Sequence, residues 1–307
     1  ARMASRMEQL AARSIVGSGL LERIERAESR VPKLLRILVY HRVDWPATTR
    51  RQLDPSLLSA TPESFERQMA YLARNYCVVT IDEVLAAVRR DTSLPPAAVL
   101  VTFDDGYRDF LTQAWPVLER LRLPATLFVP TDYLDEFARR FWWDRLYTAF
   151  MDTSLASLNH ASCGRYVLAD EPDRLQAYFS VKQRLLSLEH HRAMQLVDDL
   201  CVALAAGQCD PHQRLRDTLT WNDVRQLARS GLSVGAHTQS HPVLSRVALG
   251  AAQREILGSR RAIERELGCV RPIFSYPCGH QHDICTQVIG ILFQAGFWLG
   301  MTSLEGH

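Results

Sequence analysis

Ala98-Val99-Leu100-Val101-Thr102-Phe103-Asp104-Asp105-Gly106 decides how this chain folds. Its first six residues are apolar or β-branched and do not alternate with polar ones, the pattern of a strand buried on both faces of a parallel sheet. The strand then stops on two carboxylates and a glycine. In parallel α/β sheets and barrels, ligands bind where the strands end. The same nine residues therefore predict an element and mark a candidate site.

Similar short runs recur on both sides. Ile37–Tyr40 ends at His41, Val78–Ile81 follows, and Ala125–Val129 comes next. Leu232–Ala236 delivers His237, and Ile273–Tyr276 stops at Pro277-Cys278-Gly279. Helical patterns separate them. Residues 62–75 put Phe65, Met69 and Leu72 on one face, and Phe110–Leu121 reads as another helix. A helix opens at Ile81 with Asp82 as its N-cap, and Thr220 caps one that Gly231 ends. Residues 251–267 carry Ile256, Ile263 and Leu267 on an apolar face. This rhythm predicts an α/β fold with a mainly parallel sheet that can close into a barrel. From about 135 to 217 it gives way to helical patterning with Phe141-Trp142-Trp143-Asp144, read as a helical insertion whose tryptophans are core residues or, if exposed, platforms on which a ligand ring stacks. Residues 1–35 form an amphipathic segment with Leu20, Leu21, Ile24 and Val31 at helical spacing. Such a segment packs on its domain, or attaches to a membrane surface or a partner.

Composition narrows the function classes. The 307 residues are 47% hydrophobic and 23% charged, an ordinary globular balance. Thirty-six Lys and Arg against 34 Asp and Glu leave a formal charge of +2, which gives no reason to expect a nucleic-acid partner. No run of about twenty apolar residues marks a transmembrane helix, and the Arg-rich start lacks the apolar core of a secretory signal. The seven cysteines, Cys77, Cys163, Cys201, Cys209, Cys269, Cys278 and Cys285, are scattered and form no C-x-x-C pair. That argues against a disulfide framework or a thiolate zinc site, and reduced thiols point to a cytoplasmic setting.

His237-Thr238-Gln239-Ser240-His241 places two imidazoles four residues apart, on one side of any helical turn, although Pro242 would cut such a helix short. Alone, the pair reads equally as two surface histidines. Asp104-Asp105 alone also reads as the N-cap and start of a helix. Together, two imidazoles and one carboxylate make a site for one divalent ion with positions left for water and substrate. The expected ligands are Asp105, His237 and His241. Zinc suits them best, and cobalt, nickel and manganese are substitutes. Asp104 is placed to act as a base on water. His41, with its near-neutral pKa, is the candidate acid, and a buried, hydrogen-bonded histidine is its other reading. The backbone N–H of Cys278 is the candidate oxyanion donor.

At these residues the sequence resembles the NodB-homology polysaccharide deacetylases, also called carbohydrate esterase family four. The matching segments are Thr102–Tyr107, His237–Pro242 and Phe274–Gly279, with Ala295-Gly296-Phe297 and Thr302 as weaker echoes. The likeness runs over most of residues 37–305, excluding the insertion. It implies an irregular (β/α) barrel of fewer than eight strands, with Asp104 as base and Asp105, His237 and His241 as metal ligands. The third segment departs from the family's Phe-Arg-Pro-Pro-Tyr-Gly. Ser275 stands where an arginine would steady the base, and Cys278 replaces the tyrosine, while Arg271 is out of register. The family's acid lies on a late Leu-x-His strand. Here Leu38-Val39-Tyr40-His41 resembles it at the start of the chain, as in exopolysaccharide deacetylases that are circularly permuted. The resemblance implies a hydrolase that removes N-acetyl groups from an exopolysaccharide or a lipid-linked glycan. The alternatives are a carbohydrate-binding protein on a degenerate scaffold and a hydrolase of a small non-sugar amide.

Overall fold

The computed structural model describes residues 34–46, 53–134, 140–205 and 217–304. The amphipathic segment anticipated over 1–35 falls almost wholly outside the described residues.

The described elements start with β1 (Leu35–Tyr40), β2 (Arg42–Val43), β3 (Leu58–Ala60), α1 (Pro62–Asn75), β4 (Cys77–Val78), α2 (Ile81–Arg90) and β5 (Ala98–Phe103). Next come α3 (Trp115–Leu121) and β6 (Thr126–Val129). The inserted stretch holds α4 (Trp142–Asp152), β7 (Ser157–His160), β8 (Gly164–Val167), α5 (Glu171–Ser187) and α6 (His190–Ala205). The rhythm resumes with α7 (Trp221–Arg229), β9 (Ser233–Ala236), α8 (Leu249–Leu267), β10 (Ile273–Ser275), α9 (Thr286–Gln294) and β11 (Leu299–Met301).

One parallel sheet organises the molecule, in the order β1-β5-β6-β9-β10-β11, with β4 pairing the start of β5. It is the expected irregular barrel, left open between β1 and β11. Every residue of β5 is buried, as its unbroken apolar run requires. Period-two geometry sends Ala98 and Leu100 to the interior, where they meet Phe128, Ile273 and Met301 and the α2 residues Ile81, Val84 and Leu85. Val99, Val101 and Phe103 point the other way, into a layer with Phe65 and Met69 of α1 and Val224 of α7. Burying side chains of this size contributes roughly 1.5–3 kcal/mol each. Towards the carboxyl ends of the strands the buried positions become polar, at Asp104, His237 and Ser275.

Several expectations need correction. Helix α2 is capped by Thr80 in a capping box with Glu83, so Asp82 is not the cap but lies in the first turn. The strand expected over Val78–Ile81 is shorter and earlier, because Thr80 ends it to start the helix. The helix expected over Phe110–Leu121 is split. Phe110–Ala114 is a π-helical stretch, with Trp115 N–H donating to Phe110 O ahead of Pro116. Pro116 has no N–H to donate, so the ladder changes register there. The insertion is also not wholly helical, since β7 and β8 form an antiparallel hairpin. Its short, half-exposed strands carry too weak an alternation to stand out beside the helices. Trp142 and Trp143 are buried, as expected.

The barrel interior leaves no room at Gly235. A Cβ there would lie 2.4 Å from Phe128 Cε1. Gly235→Ala should therefore cost about 1–3 kcal/mol by overpacking. Gly290→Ala, in an open position of α9, should instead be neutral or gain up to about 1 kcal/mol. Urea unfolding midpoints of the two variants would separate them, and equal midpoints would contradict the packing described.

Candidate metal and catalytic site

The strand ends singled out in the sequence open onto one cavity of about 370 Å³, and His41, Asp104, Asp105, His237, His241 and Cys278 all line it. Four strands deliver them: β1 ends at His41, β5 at the two aspartates, β9 at the His237–His241 loop, and β10 leads to Cys278.

The turns that aim these residues use unusual backbone. Asp105 has φ +71° and Gly106 φ +69°, and the Gly106 N–H donates to Asp104 O at 2.9 Å. Thr238 (φ +65°), His241 (φ +58°) and Cys278 (φ +62°) also lie in the left-handed region. Aspartate tolerates it, whereas a β-branched threonine there is an outlier. Such conformations cost on the order of 1–3 kcal/mol each and persist only where the surroundings impose them. Here the surroundings are specific. Glu255 of α8 accepts from the N–H groups of Gln239 and Ser240, at 2.8 Å each, and from Ser240 Oγ at 2.6 Å. Thr131 and Asp132 donate their N–H groups to Thr238 O and Gln239 O. His241 N–H donates to Thr238 Oγ1 at 3.0 Å.

The two histidines thus meet through a pinned loop and not through the helical turn that their spacing suggested. The residue before a proline is disfavoured in the right-handed helical region, and His241 precedes Pro242. Glu255 went unnoticed in the sequence, because its partners are loop amides that no local pattern identifies.

The ligand atoms converge. His237 Nε2 and His241 Nε2 are 3.0 Å apart, and Asp105 Oδ1 lies 3.5 Å from the first and 3.2 Å from the second. All three residues are buried. His237 Nδ1 lies 2.8 Å from Ser275 O. A carbonyl only accepts, so Nδ1 holds a proton, and when the ring is neutral its Nε2 lone pair faces the shared point. Asp105 Oδ1 is buried without a hydrogen-bond donor. Burial alone would raise the Asp105 pKa, but the facing His237 and His241 reverse this and hold it far below the usual carboxylate range. Two imidazole nitrogens and one carboxylate oxygen at these separations fit a single cation bound at about 2 Å from each.

Asp104 sits beside this triangle. Its Oδ2 accepts from Ser275 Oγ at 2.9 Å, and its Oδ1 is buried with no hydrogen-bond partner. Ser275 therefore touches two candidate site residues, Asp104 through its hydroxyl and His237 through its carbonyl. Arg271 does not substitute for the missing arginine, because it forks onto Asp82 at 2.9–3.1 Å. His41 is held near Asp104 by the backbone. Asp104 N–H donates to Tyr40 O at 2.9 Å, and His41 N–H donates to Ser59 Oγ at 2.9 Å. Burial pushes the Cys278 thiol up to about 12, so it stays protonated at neutral pH.

The insertion completes the wall. Trp143 packs edge-on to His241, with ring centroids 4.9 Å apart, and donates Nε1–H to Tyr107 Oη at 2.7 Å. Tyr107 donates in turn to Asp144 Oδ2 at 2.7 Å. Burial raises the Asp144 carboxyl to about 7, despite the hydrogen bonds it accepts from Asp54 N–H and Tyr107.

Comparison with known proteins places this architecture. The profile of the family described as polysaccharide deacetylase matches residues 91–292. The poly-beta-1,6-N-acetyl-D-glucosamine N-deacetylase of Escherichia coli (strain K12) is 33% identical over 84 residues, which are 27% of this chain and only 12% of that enzyme. Among solved structures, the Streptococcus pyogenes deacetylase PplD in complex with acetate superposes with a TM-score of 0.55 at 17% identity, over 90% of this chain and 85% of that one. IcaB from Ammonifex degensii gives 0.54 at 19% identity, over 87% and 83%. These structures share the fold, and the profile spans well over half of the sequence. The chain belongs to the polysaccharide deacetylase family.

Proposed function

We propose that the chain is a metal-dependent hydrolase that removes N-acetyl groups from an N-acetylated poly- or oligosaccharide. One observation carries this reading: two imidazole Nε2 atoms 3.0 Å apart face a buried carboxylate oxygen that has no hydrogen-bond donor, with a second carboxylate beside them. Buried acceptors in a native site are nearly always satisfied, so a cation is the natural complement. Asp105, His237 and His241 would hold it, and zinc matches this donor set best. When bound, such an ion supplies Lewis acidity, polarising an acyl oxygen and making water more acidic.

The protein's own groups carry the remaining steps. Asp104, anchored through Oδ2, offers its unpartnered Oδ1 to take a proton from the attacking water. The Cys278 N–H, on its left-handed turn, stabilises the negative oxygen that develops on the acyl carbon. His41 returns a proton to the sugar nitrogen as the C–N bond breaks. The Escherichia coli relative is named for an N-acetylglucosamine polymer, so oligomers of N-acetylglucosamine are the first substrates to assay for acetate. Attachment of residues 1–35 to a membrane surface is part of the same proposal.

Two experiments test these roles. Asp104→Asn should lower acetate release by about 10²–10⁴-fold with metal content unchanged, whereas Asp105→Ala, His237→Ala and His241→Ala should each lose the metal. Elemental analysis beside an acetate assay reads both. Activity that survives chelation, or full activity in Asp104→Asn, would remove the reading. Ser275→Ala should reduce kcat by about 10–100-fold, the effect typical of groups that orient a metal site. KM and metal content should change little, and Ser275→Thr should recover much of the rate. A Ser275→Ala enzyme with normal kcat would show that the hydroxyl does not position the base.

A further inference from the structure

The cavity beside the triad does not end there. A second cavity of about 380 Å³ adjoins it and shares Gln183, Leu186, Val243, Arg246, Cys278 and His280 with it. The two form one cleft that runs from the candidate metal site past the Cys278 turn. Arg246 sits where they join, at the end of the 3-10 turn Leu244–Arg246 and five residues beyond His241. The turn is fixed by the Arg246 N–H donating to Val243 O at 2.8 Å.

Arg246 differs from the cations around it. Lys182, also on the wall, is paired with Asp54. Arg42, Arg140 and Arg271 are paired with Asp109, Asp217 and Asp82. Burial lowers the pKa of His190, so it is neutral near pH 7. Among the described residues no carboxylate lies within ion-pair distance of Arg246, and its Nε is buried with no hydrogen-bond partner. Asp283, which lines the second cavity with it, is already engaged by His280 N–H at 3.1 Å and faces His282 at 3.5 Å. A half-buried guanidinium with an unused Nε–H is a donor fork without an acceptor. Such forks take carboxylates and phosphates in a two-pronged hydrogen bond.

We propose that Arg246 forms an anion subsite, and that the substrate carries a carboxylate or phosphoryl group next to its N-acetylated sugar. This rests on the deacetylase reading for the identity of the sugar but not for the subsite itself. The cleft's polarity supports it. At the metal end a bound divalent ion balances the charges of Asp104 and Asp105, whereas the arginine at the junction carries an unbalanced charge, so an acidic neighbour is drawn to the junction. That fixes which way the glycan lies.

Binding and turnover test the proposal separately. The probes are neutral di-N-acetylchitobiose, a disaccharide of N-acetylglucosamine linked to glucuronate, and N-acetylglucosamine 1-phosphate. Calorimetry on the metal-loaded wild type and on Arg246→Gln measures affinity, and acetate release measures kcat/KM. The wild type should favour at least one acidic probe over the neutral one by tenfold or more. Arg246→Gln should erase that preference while leaving the neutral disaccharide and the melting temperature unchanged. Preference for the glucuronate probe identifies a uronate, and preference for the phosphate a phosphoryl group. Equal affinity for all three probes in the wild type, or an equal loss for all three in Arg246→Gln, overturns the subsite. Arg246-dependent anion binding without acetate release from any probe would keep the subsite and remove the deacetylase reading.

Discussion

Two imidazole nitrogens 3.0 Å apart, with a carboxylate oxygen against both, form an arrangement that a folded chain does not adopt at no cost. Their lone pairs repel unless a proton or cation lies between them. Ser275 O narrows the choice, because it accepts from Nδ1–H of His237 and so leaves Nε2 as the acceptor of the neutral ring. Much of the surrounding structure serves this convergence. The parallel sheet carries β5, β9 and β10 in one layer, with β6 between the first two, and left-handed backbone at Asp105, Thr238, His241 and Cys278 turns the chain inward just past each strand. Glu255 and the amides of Thr131 and Asp132 keep the His237–His241 loop in its strained path. A strained loop pinned at both backbone faces is a rigid one, and rigidity is what metal-ligand geometry requires.

The insertion is coupled to this centre. Tyr107 lies two residues beyond Asp105, and its hydroxyl receives the indole N–H of Trp143 and donates to Asp144, all of them buried. Trp143 then packs against His241. The helix that opens the insertion therefore fixes the face of a candidate ligand, and α5 and α6 add the apolar side of the cleft through Leu185, Leu186, Ala193 and Met194. A sugar's hydroxyls find few partners on that wall, whereas its C–H faces and an acyl methyl fit it.

The sequence displayed those parts of this arrangement that depend on local chemistry. Unbroken apolar runs exposed the buried parallel strands, and residues following each run marked the candidate site. Thr220 as a cap and Phe65, Met69 and Leu72 as a buried face were equally legible. What stayed hidden was long-range or conformational. Thr80 outcompetes Asp82 as a cap because its hydroxyl and the Glu83 side chain satisfy each other's backbone donors. The loop that unites His237 and His241 depends on Glu255, which belongs to a later helix. The β7–β8 hairpin has a single buried residue, Leu158, to signal it. The structure brings the six candidate residues to one cavity.

Ser275 shows how a departure from a family pattern alters the electrostatics of a site. An arginine at that position would anchor the base and also place a fixed positive charge beside two carboxylates. The serine hydroxyl anchors Asp104 at 2.9 Å and contributes no charge, while Arg271 is committed to Asp82. Asp104 Oδ1 and Asp105 Oδ1 are left as two buried acceptors without donors. In a low-dielectric pocket such oxygens are costly to keep unpaired. With no guanidinium to share the load, balancing both carboxylates falls to the imidazoles and to any cation they hold, so this site would lean on a bound ion more heavily than one that retains the arginine.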